Sequence, residues 1–236
     1  MTASRNIAAI LTDIEGTTTP IAFVHEVLFP YARARLADFC KAHERAPEVA
    51  AALQAARDLD GHPELDLDET VALLIRWIDE DRKAGPLKTL QGLIWREGYE
   101  AGELKGVVYD DAAEYLHRWH ASGLKLFVYS SGSVEAQKLI FGHSDKGDLA
   151  QLFSGFFDTG TGPKIETASY AAIARETGLV PDDILFLSDH PGEIVAAKSA
   201  GLKVARIDRA LASDEAHREG DVLVAGSFVA VDRNFF

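Results

Sequence analysis

The chain has one cysteine, Cys40, so no intramolecular disulfide can staple it, and a reducing cytoplasm is the expected setting. It has no run near the ~18 uncharged apolar residues of a membrane-spanning helix, so no membrane association is expected. Its opening residues, 1–6, lack the layout of a secretion signal. Positive charge is scarce. With 24 Lys and Arg against 37 Asp and Glu, the net charge is −13. General nucleic-acid binding, which needs a basic footprint, is therefore not expected. A small phosphorylated ligand needs only one local cation and remains compatible. Repeats and low-complexity stretches are absent. What is present is ordinary globular composition, 47% hydrophobic and 26% charged over 236 residues. That is enough chain for one large domain, or for one domain with an inserted lobe, and a monomer is expected.

Residues 7–11 form a continuous apolar run, the pattern of a strand buried on both faces. A polar loop rich in Gly and Thr follows over 12–20. From about residue 23 to 102 the pattern is helical and holds no convincing strand. Val71, Leu74, Ile75 and Ile78 share one helix face, with Asp68 and Glu69 ahead of them and Arg82 and Lys83 behind. Pro30, Pro47, Pro63 and Pro86 are expected as breaks between helices. From about 106 helix and strand alternate: helices over 111–121, 134–141, 169–176 and 193–200, strands over 124–129, 184–187 and 204–207. Such alternation implies right-handed crossovers and a parallel sheet. The expected architecture is α/β: a discontinuous core of residues 1–20 and 105–236, with an all-helical cap over 21–104.

Ligands of open parallel sheets bind beyond the carboxyl ends of the strands. There the first strand delivers Asp13, Glu15 and Thr17, the second Ser130 and Ser131, and a later one Asp189 and Glu193. Lys164 sits in a loop between the last two groups. Acids gathered this closely need a cation, and an oxygen-only set suits magnesium. Two hydroxyls at a helix start can cradle a phosphate, and a lysine can neutralise a transferring phosphoryl group. A carboxylate in line with phosphorus can attack it, and a second acid two residues on can move the protons. Each residue has a plainer role. Asp13 could cap a turn, Ser130 or Ser131 could cap a helix, and so could Asp189. Lys164 could be solvated, and Glu193 could sit in a first helical turn for dipole reasons. Their order along the chain, always at strand ends, favours the joint reading.

These residues resemble the four motifs of the haloacid dehalogenase superfamily of phosphatases. Asp13, Glu15 and Thr17 match the first motif, although its second acid is usually Asp. Ser131 matches the second and Lys164 the third. Asp189 and Glu193 match the fourth, where Ser188 replaces the commoner Gly. Asp13-Ile-Glu-Gly-Thr-Thr-Thr-Pro-Ile-Ala-Phe-Val and Tyr129-Ser-Ser-Gly-Ser-Val-Glu-Ala-Gln-Lys-Leu-Ile-Phe-Gly-His-Ser narrow the resemblance to the enolase-phosphatases (acireductone synthases) of methionine salvage. So do Leu90-Gln-Gly-Leu-Ile-Trp95 and Gly98-Tyr-Glu-Ala-Gly102. Beyond about Arg209 no motif can be placed.

The resemblance implies a Rossmann-like core and a cap between the first two motifs. It implies enolisation and then dephosphorylation of a diketo methylthiopentyl phosphate, with one Mg2+ per chain. It makes Asp13 the nucleophile and a metal ligand, and Glu15 the second acid and a metal contact. Ser130, Ser131 and Lys164 would hold phosphate, with Lys164 also catalytic, and Asp189 would complete the metal set. Glu15 reaches one methylene further than Asp, which suits proton chemistry on the substrate carbon. Trp95 and Tyr99 could cover the thioether tail, although aromatics four apart on a helix are usually core. His25 and His143 flank the first two motifs and read equally well as pocket lining or surface. Among the alternatives, another small phosphorylated metabolite would change the cap and not the core. A dehalogenase would have no use for the fourth-motif acids. A phospho-accepting receiver is typically much shorter and lacks the lid. A non-catalytic binding module would not be expected to keep Asp13, Lys164 and Asp189 together.

Overall fold

The computed structural model describes residues 7–236, so the opening segment read above for a targeting signal lies outside the described residues. The chain separates into two compact units. One comprises the described part of Met1–Ile21 with Gly106–Phe236, the other Ala22–Lys105.

In the first unit a seven-stranded sheet runs in the order β3-β2-β1-β4-β5-β7-β6. The strands are β1 (Ala9–Thr12), β2 (Lys125–Tyr129), β3 (Gly155–Phe157), β4 (Ile184–Ser188), β5 (Lys203–Ile207), β6 (Ala216–Glu219) and β7 (Val222–Ala225). All pairings are parallel except β6 with β7. β1 and β4 are buried throughout, as their unbroken apolar runs require at the centre of a sheet covered on both faces. One face packs Phe127, Tyr129, Tyr170, Phe186 and Ile194 into a common core. Elsewhere Trp119 stacks on Phe228 at 5.3 Å between ring centres, and its indole N–H donates to Asp232.

The β6–β7 hairpin and the closing helix Phe228–Phe235 occupy the stretch in which no motif could be placed. Gly220, at φ +63°, begins the two-residue Gly220-Asp221 turn. That dipeptide between two short runs is a hairpin signal in itself.

The second unit carries the helices Phe29–His43, Pro47–Asp60, Leu67–Asp79 and Gly85–Glu100. Asp66 starts the third with a capping box, accepting from the Glu69 amide while Glu69 accepts from its own. The buried stripe of that helix is Val71, Leu74 and Trp77. Ile75 and Ile78, expected on the face, lie half-buried at its flank, because Trp77 brings the larger apolar surface inward. Pro47 and Pro86 open their helices, as expected of breaks. Pro30 does not separate two helices. A π-helical segment, Val24–Leu28, runs directly into Phe29–His43, and Pro30 sits in that helix's first turn. Trp95 and Tyr99 belong to the core of this unit, at 9% and 2% exposure, with the Trp95 indole donating to the Leu28 carbonyl at 2.8 Å.

Cys40 is fully buried in the same core, and burial pushes its thiol up to about 11. The folded state thus holds the proton more tightly than the unfolded chain, whose thiol titrates near 8.5. This contribution to stability is complete below the unfolded value and is lost as pH rises toward the folded one. Alkylation at about pH 8 should therefore be slower than for a free thiol by about a hundredfold or more. It should accelerate in parallel with urea unfolding of the helices, which mass spectrometry of Cys40 would follow.

Candidate active site

The sheet register assembles the site. Thr12 pairs with Val128 on one side and Leu187 on the other, so Asp13 falls level with Tyr129 and Ser188. Ser130 and Asp189 then lie one residue beyond it. The Asp13 amide donates to the Leu187 carbonyl at 2.9 Å, continuing the ladder to the edge of the site. Gly16 turns the next loop at φ +69°, and a Cβ there would lie 2.2 Å from Asp189 Oδ2. The first-strand loop and Asp189 are thus in direct contact, and the Asp189 amide donates to Thr17 Oγ1 at 3.0 Å.

Lys164 is not solvated. Its side chain is 9% exposed, and its Nζ lies 2.6 Å from Asp13 Oδ1 and 2.8 Å from Glu193 Oε2. Burial opposes its charge, but the two carboxylates outweigh that and hold the ammonium above the ordinary lysine range. Three hydroxyls fix the loop that delivers it: Tyr129 donates to the Gly162 carbonyl, Ser169 to Pro163 and Tyr170 to Lys164. Glu193 is raised by burial and by the charge of Asp13, against the pull of Lys164 and Ser188. It is therefore more than a first-turn acid, since Ser188 Oγ donates to it at 2.8 Å and lies 3.5 Å from Asp13 Oδ2. Asp189 is likewise raised, by burial first and then by Asp13.

The capping roles fall to neighbours of the expected residues. Ser133, not Ser130 or Ser131, caps Val134–Gly142, accepting from the Ala136 amide. His190, not Asp189, caps Pro191–Ser199 through Nδ1. Ser130 and Asp189 are thereby released from capping, and Ser131 sits half-buried in the same turn. Gln137, almost fully buried, clamps that turn by donating to the Gly132 and Phe157 carbonyls at 2.8 Å each. Asp158 accepts from the Val134 and Gly160 amides. Neither residue was singled out from sequence, although Gln137 lies inside the second long motif. Glu15 is half-buried and bridges to Thr19. His143 ends its helix, and His25 is exposed and set edge-on to Phe29.

Asp13, Glu193 and Asp189 against Lys164 leave a formal excess of two negative charges in a largely desolvated space. An all-oxygen donor set with that imbalance fits a hard divalent cation. Among the described residues, no group of three or more His, Cys, Asp or Glu is already gathered around one point. Backbone or water oxygens would have to complete the shell.

Residues 7–201 match the family model for haloacid dehalogenase-like hydrolases. An enolase-phosphatase E1 of Parvibaculum lavamentivorans is 62% identical over 99% of this chain and 97% of its own. Another, from Pseudomonas syringae pv. tomato, is 57% identical over 83% and 86%. The chain belongs to the enolase-phosphatase family of haloacid dehalogenase-like hydrolases. The crystal structure of the UTR4 protein of Saccharomyces cerevisiae is 35% identical and superposes with a TM-score of 0.76, covering 94% of this chain and 99% of that one. As a member of this hydrolase family, the protein is an enzyme of phosphoric monoesters. No described helix is long and apolar enough to cross a membrane.

Removing the cation tests the electrostatics of an enolase-phosphatase core. Lys164→Met would leave Asp13 and Glu193 buried without a counter-charge, which costs about 3–5 kcal/mol. Because Glu193 already holds its proton more tightly than a free carboxyl, lowering the pH toward about 5 should restore part of the loss. Urea unfolding at the two pH values measures this. A deficit that did not shrink in acid would contradict the pairing.

Proposed function

We propose that this chain converts 2,3-diketo-5-methylthiopentyl-1-phosphate to the acireductone 1,2-dihydroxy-3-keto-5-methylthiopentene and inorganic phosphate, within methionine salvage. The observation that carries the reading is the buried Asp13–Lys164–Glu193 cluster at the strand ends, in a chain 62% identical to an enolase-phosphatase. In the phosphatase half, a carboxylate oxygen of Asp13 attacks phosphorus as the ester P–O bond breaks. Glu15 gives its proton to the departing oxygen, then takes one from water. That water oxygen bonds to phosphorus, the aspartyl P–O bond breaks, and phosphate leaves with the carboxylate restored. Ser130 and Ser131 hold phosphate oxygens. Lys164 fixes one Asp13 oxygen and offsets charge on the transferring group.

One Mg2+, held by Asp13, Glu15 and Asp189, would supply Lewis-acid polarisation and charge neutralisation when bound. By the family resemblance the helical stretch 21–104 would be the cap, whose role would be to exclude water from the intermediate. In the enolase half, the longer reach of Glu15 places its carboxylate nearer the substrate carbon than an Asp would.

Following phosphate release and enediol absorbance separately tests these roles. Asp13→Asn should cut phosphate release by about a thousandfold or more while the phosphorylated enol still forms. Glu15→Asp should lower enolisation by about tenfold more than it lowers phosphate release. Chelation should stop turnover and Mg2+ restore it. Full-rate turnover without metal, or by Asp13→Asn, would overturn the assignment.

A further inference from the structure

Arg209 lies beyond the last recognisable motif and outside the 7–201 match, yet it is tied into the first-strand loop. Its side chain is 16% exposed. Nη1 donates to both carboxylate oxygens of Asp111, at 2.9 and 2.8 Å. Nε donates to the Thr17 carbonyl at 3.1 Å, and Nη2 donates to the same oxygen. The guanidinium lies over the Tyr109 ring, 4.1 Å from its centre, with Phe228 5.4 Å away. Asp111 is held in turn, because its Oδ2 also accepts from the Phe228 amide at 2.8 Å. Thr17 faces the other way, its Oγ1 accepting the Asp189 amide. One side chain therefore joins the closing helix, the start of helix Asp110–Ala121 and the loop that carries Asp13 and Glu15 to Asp189.

We propose that Arg209 is a positioning residue for phosphoryl transfer, fixing the first-strand loop against Asp189 through Thr17. Its five donors in a planar fork satisfy a carboxylate and a carbonyl at once, which the single ammonium of a lysine cannot do in one geometry. The guanidinium reaches the first-strand loop at the Thr17 carbonyl, and its effect on chemistry passes through that backbone. A cavity of about 270 Å³, lined by Gly16, Tyr109, Asp189 and Arg209 among others, adjoins the guanidinium. Water entering there can hydrate a shorter cation, so Arg209→Lys should fold while the loop loses its register.

This inference rests on the phosphatase reading, and the test separates the two. Arg209→Lys and Thr17→Val should each lower kcat for phosphate release by about 10–50-fold with KM within about twofold. Because the Arg209–carbonyl and hydroxyl–Asp189 contacts act in series through Thr17, the double variant should fall no more than about threefold below either single one. Hydrogen exchange should quicken in peptides covering 12–19 and 188–190 of Arg209→Lys, with the β5 peptide unchanged. Should Arg209→Lys fail to fold, Asp111→Asn loosens the same fork, and the same kcat and exchange changes are expected. Unchanged kcat in a folded variant, a change in KM alone, or losses that multiply would overturn the proposal. A parent chain that releases no phosphate from the diketo substrate would sink the functional reading instead. The exchange data would still decide whether Arg209 holds the loop.

Discussion

The ammonium of Lys164, buried between Asp13 and Glu193, is the interaction on which the rest of the site depends. Two carboxylates at the centre of a parallel sheet cannot share a desolvated space without a counter-charge, and the lysine supplies it at 2.6 and 2.8 Å. The surrounding structure can be read as the means of holding that one group. Tyr129, Ser169 and Tyr170 grip three successive carbonyls of its loop, and the tyrosines belong to the aromatic core beneath the sheet. Core packing and site geometry are therefore one construction. A hydroxyl lost from either tyrosine would reach the chemistry through the lysine.

The arrangement is also under-neutralised. Asp189 adds a further carboxyl, raised by its burial and by Asp13, and no second lysine or arginine is paired with it among the described residues. A hard divalent cation would fit that residual negative charge and leave valence for a phosphate ligand. Ser188 strengthens the cluster in a way the commoner Gly could not. Its hydroxyl donates to Glu193 and accepts the His190 amide, tying the acid to the turn after β4.

Most of the framework was legible in the sequence because it follows from local patterns. The apolar runs that became β1 and β4 and the alternation after residue 106 depend on neighbours a few residues apart. The exceptions are instructive. Pro30 was expected as a break between helices, but it sits in the first turn of Phe29–His43, which runs on directly from a π-helical segment. Ser130 and Asp189 were weighed as caps, whereas Ser133 and His190 take those roles one to three residues further on. Helix boundaries set by competing polar residues are settled by hydrogen-bond geometry, which spacing does not encode.

Which chemical groups stand at strand ends, their order, and the family that order marks can all be read along the chain. Those properties are local, because a strand delivers the residue that follows it. That Lys164 spans Asp13 and Glu193, contacts separated by 151 and 29 positions along the chain, emerges only on folding. The folded arrangement alone showed that Gln137 clamps the turn after β2, and that Arg209, with no motif around it, reaches the Thr17 carbonyl 192 residues away. Such contacts arise from sheet register and from the return of the closing helix. A residue's neighbours across a sheet are set by pairing and packing, and no window along the chain contains them.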